Sequence, residues 1–171
     1  MSHYHLAQAN VARMRAPLDD PSMAEFVALL DPLNRLADES PGFVWRLQTE
    51  AGNSADIRVF EDTRILLNMS VWASVEALRD FVYRSQHLDA FRQRQKWFEP
   101  FARASHALWW VPAGLVPTAL EGCARLTALW ERGPTPEAFT FQRLYAPSGA
   151  GAQGSGAWAS ADPGVACDTK R

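Results

Sequence analysis

The stretch that most restricts how this chain can fold runs from Arg64 to Arg92, where an apolar strand passes directly into a helix. Read in alternation, this strand has two unlike faces: Ile65, Leu67, Met69 and Val71 form an aliphatic row, while Leu66, Asn68, Ser70 and Trp72 form the other. A run so dense in apolar residues predicts a central strand. Polar atoms on such a strand cost on the order of 1 to 3 kcal/mol when they lack a partner. Asn68 must therefore meet a neighbouring loop, a buried water or a ligand. At Ala73 and Ser74 the period changes: Ser74 predicts an N-cap, and Val75, Leu78 and Val82 recur at helical spacing while Glu76, Arg79 and Asp80 face water. The stripe resumes from Leu88 through Phe91 and Phe98, which predicts one bent helix or two short ones joined at residues 84–86. His87 and Arg92 lie at and beyond that joint.

The flanking sequence supplies the remaining elements. His3 to Arg13 alternates as a first strand, and Asp20 followed by Pro21 opens a helix bearing Met23, Phe26, Val27, Leu30, Leu33 and Leu36. Pro32 lacks an N–H, so a break is expected near Asp31. Phe43 to Glu50 predicts a second strand with Phe43, Trp45 and Leu47 on one face. Ala104 to Val111 predicts a fourth, Thr118 with Glu121 a capping box opening a last helix that Gly133 closes, and Ala138 to Leu144 a final short strand. Strand, helix, strand, strand, helix, strand is the split βαβ order of an α+β, ferredoxin-like βαββαβ core, with a helix and a strand added at its C-terminal end. Right-handed crossovers place both main helices on one sheet face. The other face would then be a large exposed apolar patch, which predicts burial against a second copy in a homodimer.

Composition sets the remaining bounds. At 171 residues the chain suits one domain, assigned to residues 1–145, and its seven Trp and nine Phe provide ample apolar area. From residue 146 the sequence turns to Gly, Ala and Ser, which predicts a disordered tail over 146–171. A net charge of -2 with both signs interspersed offers no field for nucleic acid or an anionic membrane. No apolar run approaches the ~20 residues of a spanning helix, and the N-terminus does not read as a signal peptide. Cys123 and Cys167 read as free thiols, which suits a reducing cytoplasm.

The candidate chemistry is sparse. His3, His5 and His106 could converge from neighbouring strands, but their spacing matches no metal-ligand pattern, and no metal site is assigned. A Gly-rich phosphate loop, a nucleophile elbow and a paired-cysteine motif are all absent from the sequence, which argues against nucleotide enzymes and common hydrolases. A pocket between sheet and helices is the remaining site, with Asn68 presenting its amide and His87 or Arg92 nearby.

The segments YHLAQANVARMRAPLDDP, SPGFVWRLQTE, NMSVWASVEALRDFVYRSQH, LWWVPAG and GPTPEAFTF, in this order, resemble the domain of unknown function 3291 (DUF3291) family over about Tyr4 to Tyr145. The resemblance implies a dimeric α/β barrel related to the antibiotic biosynthesis monooxygenases, without an established activity. In that superfamily, enzymes that oxidise polycyclic phenols without a cofactor carry an Asn ahead of a Trp on the third strand and an Arg on the following helix. Asn68 and Trp72 match the first two, and Arg92 is the candidate for the third. The haem-degrading branch is disfavoured, because the positions of its Trp and His fall near Phe81 and Phe91.

These readings combine into one expectation. The chain is expected to be a monooxygenase-like enzyme that acts without a bound cofactor on a phenolic or enolisable small molecule, hydrophobic or aromatic, with Asn68, Trp72, His87 and Arg92 as catalytic residues and Ser70, His5, Trp45 and Trp110 contacting substrate. The alternatives are a non-catalytic dimer that binds a small molecule and, less favoured, a haem protein.

Overall fold

A computed structural model describes residues 3–147 apart from 51, 53, 56, 85 and 86, with backbone alone at 84, 87, 88 and 91. The expected tail from residue 148 onward lies outside the described residues. The strands are β1 (Tyr4–Met14), β2 (Phe43–Arg46), β3 (Ile65–Trp72), β4 (Phe98–Glu99) and β5 (His106–Pro112), and the helices are α1 (Ala24–Asp38), α2 (Val75–Arg84), α3 (His87–Gln93) and α4 (Ala119–Arg132). All pairings are antiparallel. β1 lies at the centre with β3 on one side and β2 beyond it; β5 and the short β4 share the other edge of β1. This is the expected α+β, ferredoxin-like arrangement, extended by α4.

Local signals set most element ends. The Asp20 carboxylate accepts from the Ser22 N–H at 2.9 Å, and the Ser74 hydroxyl caps α2 by accepting from the Ala77 N–H at 3.2 Å. Thr118 accepts from the Glu121 N–H at 3.1 Å, and Gly133 ends α4 at φ 72°, a backbone region open to glycine. Gly42, at φ 81°, has the same freedom, and its carbonyl accepts from the Ala73 N–H at 2.7 Å, joining the start of β2 to the end of β3.

Three expectations about the elements change. α1 runs unbroken through Pro32. Pro32 and Ala28 are both on the exposed side, where water can serve the carbonyl that proline leaves unbonded. The second strand stops at Arg46, and a bulge between Phe43 and Trp45 sends these two aromatics to opposite faces: Phe43 pairs with Trp72 and Trp45 with Val71. The expected final strand shrinks to one bridge. Phe139 exchanges backbone hydrogen bonds with Leu108 at 2.7 and 2.8 Å, but the bridges Thr135–Ala138 and Thr140–Arg143 bend the chain away on either side.

The two faces of the sheet have different fates. Ala7, Ala9, Val11, Leu67, Met69, Val71, Ala107 and Trp109 pack with Cys123, Leu126 and Leu129 of α4 in the main core. At Gly122 the helix approaches so closely that an added Cβ would lie 2.5 Å from the Met69 sulfur and 3.3 Å from the Ala9 Cβ. The face expected to await a second copy is thus covered by the chain's own last helix. The open-face argument for a homodimer loses its premise, because sequence periodicity did not place α4 on that side. Cys123 corrects a second expectation: it is disulfide-bonded, not a free thiol, and Cys167 lies outside the described residues. The thiol argument for a reducing compartment falls with it. Among the described residues, no helix is long and apolar enough to cross a membrane.

Candidate functional site

The opposite face carries Leu6, Gln8 and Asn10 of β1, in register with Trp72, Ser70 and Asn68 of β3 and with Trp110, Leu108 and His106 of β5. One end of this face is closed. Leu6, Trp72 and Leu108 pack there with Val75 and Leu78 of α2, Ala37 of α1, and Phe139. Toward the other end the helices stand off from the sheet, leaving a cavity of about 610 Å³. That volume falls in the range of small-molecule sites, roughly 300 to 1,000 Å³. Phe26, Leu29, Leu30 and Leu33 of α1 form its apolar roof. This explains why α1 has an apolar stripe and yet Ala37 is its one buried residue among those described: the stripe faces space.

The floor is polar. The Gln8 amide nitrogen lies 3.0 Å from the Ser70 hydroxyl oxygen, 3.3 Å from the Asn68 carbonyl oxygen and 3.5 Å from that of Asn10. The indole N–H of Trp72 donates to the same Ser70 oxygen at 2.8 Å. Trp72 itself is fully buried, stacked on Phe81 at a centroid distance of 5.0 Å and edge-on to Phe43 at 5.5 Å. It backs the floor rigidly. At the rim, Arg46 donates to Asp38 at 2.7 and 3.2 Å and to the Gly52 carbonyl at 2.6 Å, tying α1 to the loop after β2.

His106 also lines the cavity, across from Asn10 and 5.7 Å from the Phe141 ring. Its Nε2 is buried with no partner among the described residues, and burial pushes its pKa below the ordinary value of 6.5 by disfavouring the imidazolium. A neutral imidazole lining the cavity can offer a ligand a hydrogen bond through its unpaired ring nitrogen, while burial disfavours its taking up a proton.

The sequence-predicted residues divide accordingly. Asn68, Ser70 and Trp72 come together in the cavity. His5 pairs with Val111 and Trp45 with Val71, which puts both on the α4 face, away from it. His5 and His106 therefore lie on opposite faces of the sheet, and the three imidazoles do not converge. Trp110 is on the cavity side but packs in the closed end, donating to the Tyr145 carbonyl at 2.7 Å. Arg92 is exposed and lies 3.7 Å from Asp89. The His87 side chain is outside the described residues; its backbone begins α3. Sequence reading passed over Gln8, Asn10 and Arg46. The alternation of Leu6, Gln8 and Asn10 was a signal for the first two, but it acquires meaning only when β1 is set against β3.

Comparison with solved structures returns distant likenesses. Rv0793 from Mycobacterium tuberculosis aligns at 16% identity with a TM-score of 0.44, covering 67% of this chain and 98% of that one. SnoaB from Streptomyces nogalater, a cofactor-independent oxygenase, aligns at 15% identity and TM-score 0.41, covering 68% and 100%. A putative antibiotic biosynthesis monooxygenase from Nitrosomonas europaea gives 15% and 0.41, covering 70% and 97%. No curated protein is significantly similar in sequence. The sequence profile of one family, described as a domain of unknown function, matches residues 5–154, and the chain belongs to that DUF3291 family.

Proposed function

We propose that this protein binds a small phenolic or enolisable aromatic molecule between its sheet and helices and oxidises it with dioxygen, without a bound cofactor. The observation that carries this reading is the Gln8-centred floor beneath an apolar roof in a cavity of about 610 Å³. Apolar walls take an aromatic ring, and amide and hydroxyl donors at one side stabilise an oxyanion as it forms. Removal of a proton leaves its bonding electron pair on the ligand as an enolate or phenolate. For a ring methylene, dioxygen then supplies both the oxygen of the new carbonyl and the oxygen that leaves as water with the two methylene hydrogens. The four electrons released by carbon reduce the dioxygen, so the net reaction requires no external reductant. Asn68 contacts the oxyanion, and Trp72 supports the floor through Ser70.

Anthrone is a suitable probe, since its ring methylene would become the carbonyl of anthraquinone. The proposal predicts dioxygen uptake with matching quinone formation above the protein-free rate, reduced at least ~10-fold in a folded Asn68→Ala variant. Equal rates with and without the wild-type protein contradict it. A second reading, binding without turnover, is favoured by the position of Arg92, which is exposed beside Asp89 instead of lining the cavity. It predicts that anthrone raises the melting temperature but is not consumed.

A further inference from the structure

A primary amide offers two N–H donors and one carbonyl acceptor, so its orientation decides which chemistry it shows its neighbours. The Gln8 amide nitrogen lies among three oxygens, those of Ser70, Asn68 and Asn10, at 3.0, 3.3 and 3.5 Å. Each oxygen that Gln8 engages fixes the other end of its own group. With its carbonyl oxygen turned to Gln8, Asn68 directs its amide N–H groups elsewhere, and Asn68 is exposed along the cavity floor. Ser70 accepts from Gln8 and from the Trp72 indole at 2.8 Å, which occupies both lone pairs and leaves its hydroxyl hydrogen to donate. The Trp72 contact has only one direction, because an indole N–H cannot accept. We propose that Gln8 is a positioning residue that sets the hydrogen-bond polarity of the cavity floor, so that ligands are recognised through acceptor oxygens such as a carbonyl, enolate or phenolate.

The inference deepens the proposed function and rests on it only in placing the ligand in this cavity. It assigns Gln8 a role that neither strand pairing nor core packing requires. A site built to donate loses affinity for an isostere without the acceptor, because its own polar groups are then left unpaired.

The test compares two neutral probes of one shape, 2-acetylnaphthalene, which carries a ketone oxygen, and 2-isopropenylnaphthalene, which carries a methylene in its place. Binding to the full chain is read by tryptophan fluorescence or calorimetry. The wild type is expected to prefer the ketone at least ~10-fold, the discrimination of about 1.4 kcal/mol that one satisfied hydrogen bond can give. Gln8→Met keeps the side-chain length and removes the amide. It should bring the two affinities within about threefold of each other by weakening the ketone while leaving the hydrocarbon unchanged. Gln8→Glu, which can only accept, should lose the preference as well. A purely structural role for Gln8 would weaken both probes together.

The wild-type ratio stands even if a variant fails to fold. Equal wild-type binding of both probes overturns the polarity assignment and leaves the cavity reading intact. A ketone preference unchanged in a folded Gln8→Met overturns the role of Gln8. Binding of neither probe to the wild type removes the cavity reading and this inference together.

Discussion

The indole N–H of the fully buried Trp72 donates to the hydroxyl oxygen of Ser70, two residues away on β3, at 2.8 Å. Side chains two apart on a strand share a face, so the bond runs along the strand and joins the closed end of the sheet face to its open cavity.

Ser70→Ala strands that indole donor. The expected loss of stability is about 1 to 3 kcal/mol, read by urea denaturation. Trp72→Phe in the same background should cost less than in the wild type, since the donor is already unpaired. A double-mutant cycle with no coupling between the two sites would show that the bond contributes nothing.

Acid should affect the protein through His106. Its folded pKa is held below 6.5 by burial, whereas the unfolded chain takes up the proton near the ordinary value. The unfolded state therefore binds more protons in the window just below pH 6.5. Stability is expected to fall as pH drops through that window, and His106→Gln should flatten this part of the profile. Proton NMR of the imidazole provides the direct check: a titration midpoint at or above 6.5 is inconsistent with the buried ring described here.

Close helix packing makes Gly122 sensitive to size. Gly122→Ala puts its Cβ 2.5 Å from the Met69 sulfur and 3.3 Å from the Ala9 Cβ, so the buried Met69 must shift. The gain in helix propensity offsets part of this, and the net cost should stay below about 1 kcal/mol. Gly122→Val adds branched bulk against Ala9 as well and should cost about 1 to 3 kcal/mol by thermal or urea denaturation. Equal tolerance of both would mean that α4 does not press on the sheet at this point.

Gly42 is limited by its backbone as well as by space. Alanine there must hold φ near 81° and would place its Cβ 2.6 Å from that of Ala77. Gly42→Ala is expected to destabilise by about 2 kcal/mol or more, whereas Gly52→Ala, with a similar φ but open space, should cost only about 1 kcal/mol.

The features legible in the sequence are those set by neighbours along the chain. The two faces of β3, the Ser74 and Thr118 caps and the glycine stop at Gly133 all depend on residues within a turn or two. What escaped depends on partners distant in sequence. The bulge that parts Phe43 from Trp45 is a matter of register against β3. The covering of the second face depends on where α4 crosses, which its apolar stripe does not reveal. Asn68 could be singled out as a polar residue on an apolar strand, but its orientation comes from Gln8, sixty residues away and visible only once the strands are paired.

The central claim is that the space beneath α1 receives the aromatic ligand. Ala12 lines that space from β1, and Ala12→Trp would fill part of it with an indole ring. Titration of anthrone into wild-type and Ala12→Trp protein, with circular dichroism to confirm the fold, tests the claim most directly. The account predicts saturable binding by the wild type and affinity weakened at least ~10-fold by the filled cavity. Equal affinity in a folded Ala12→Trp variant would place the ligand elsewhere and contradict the account.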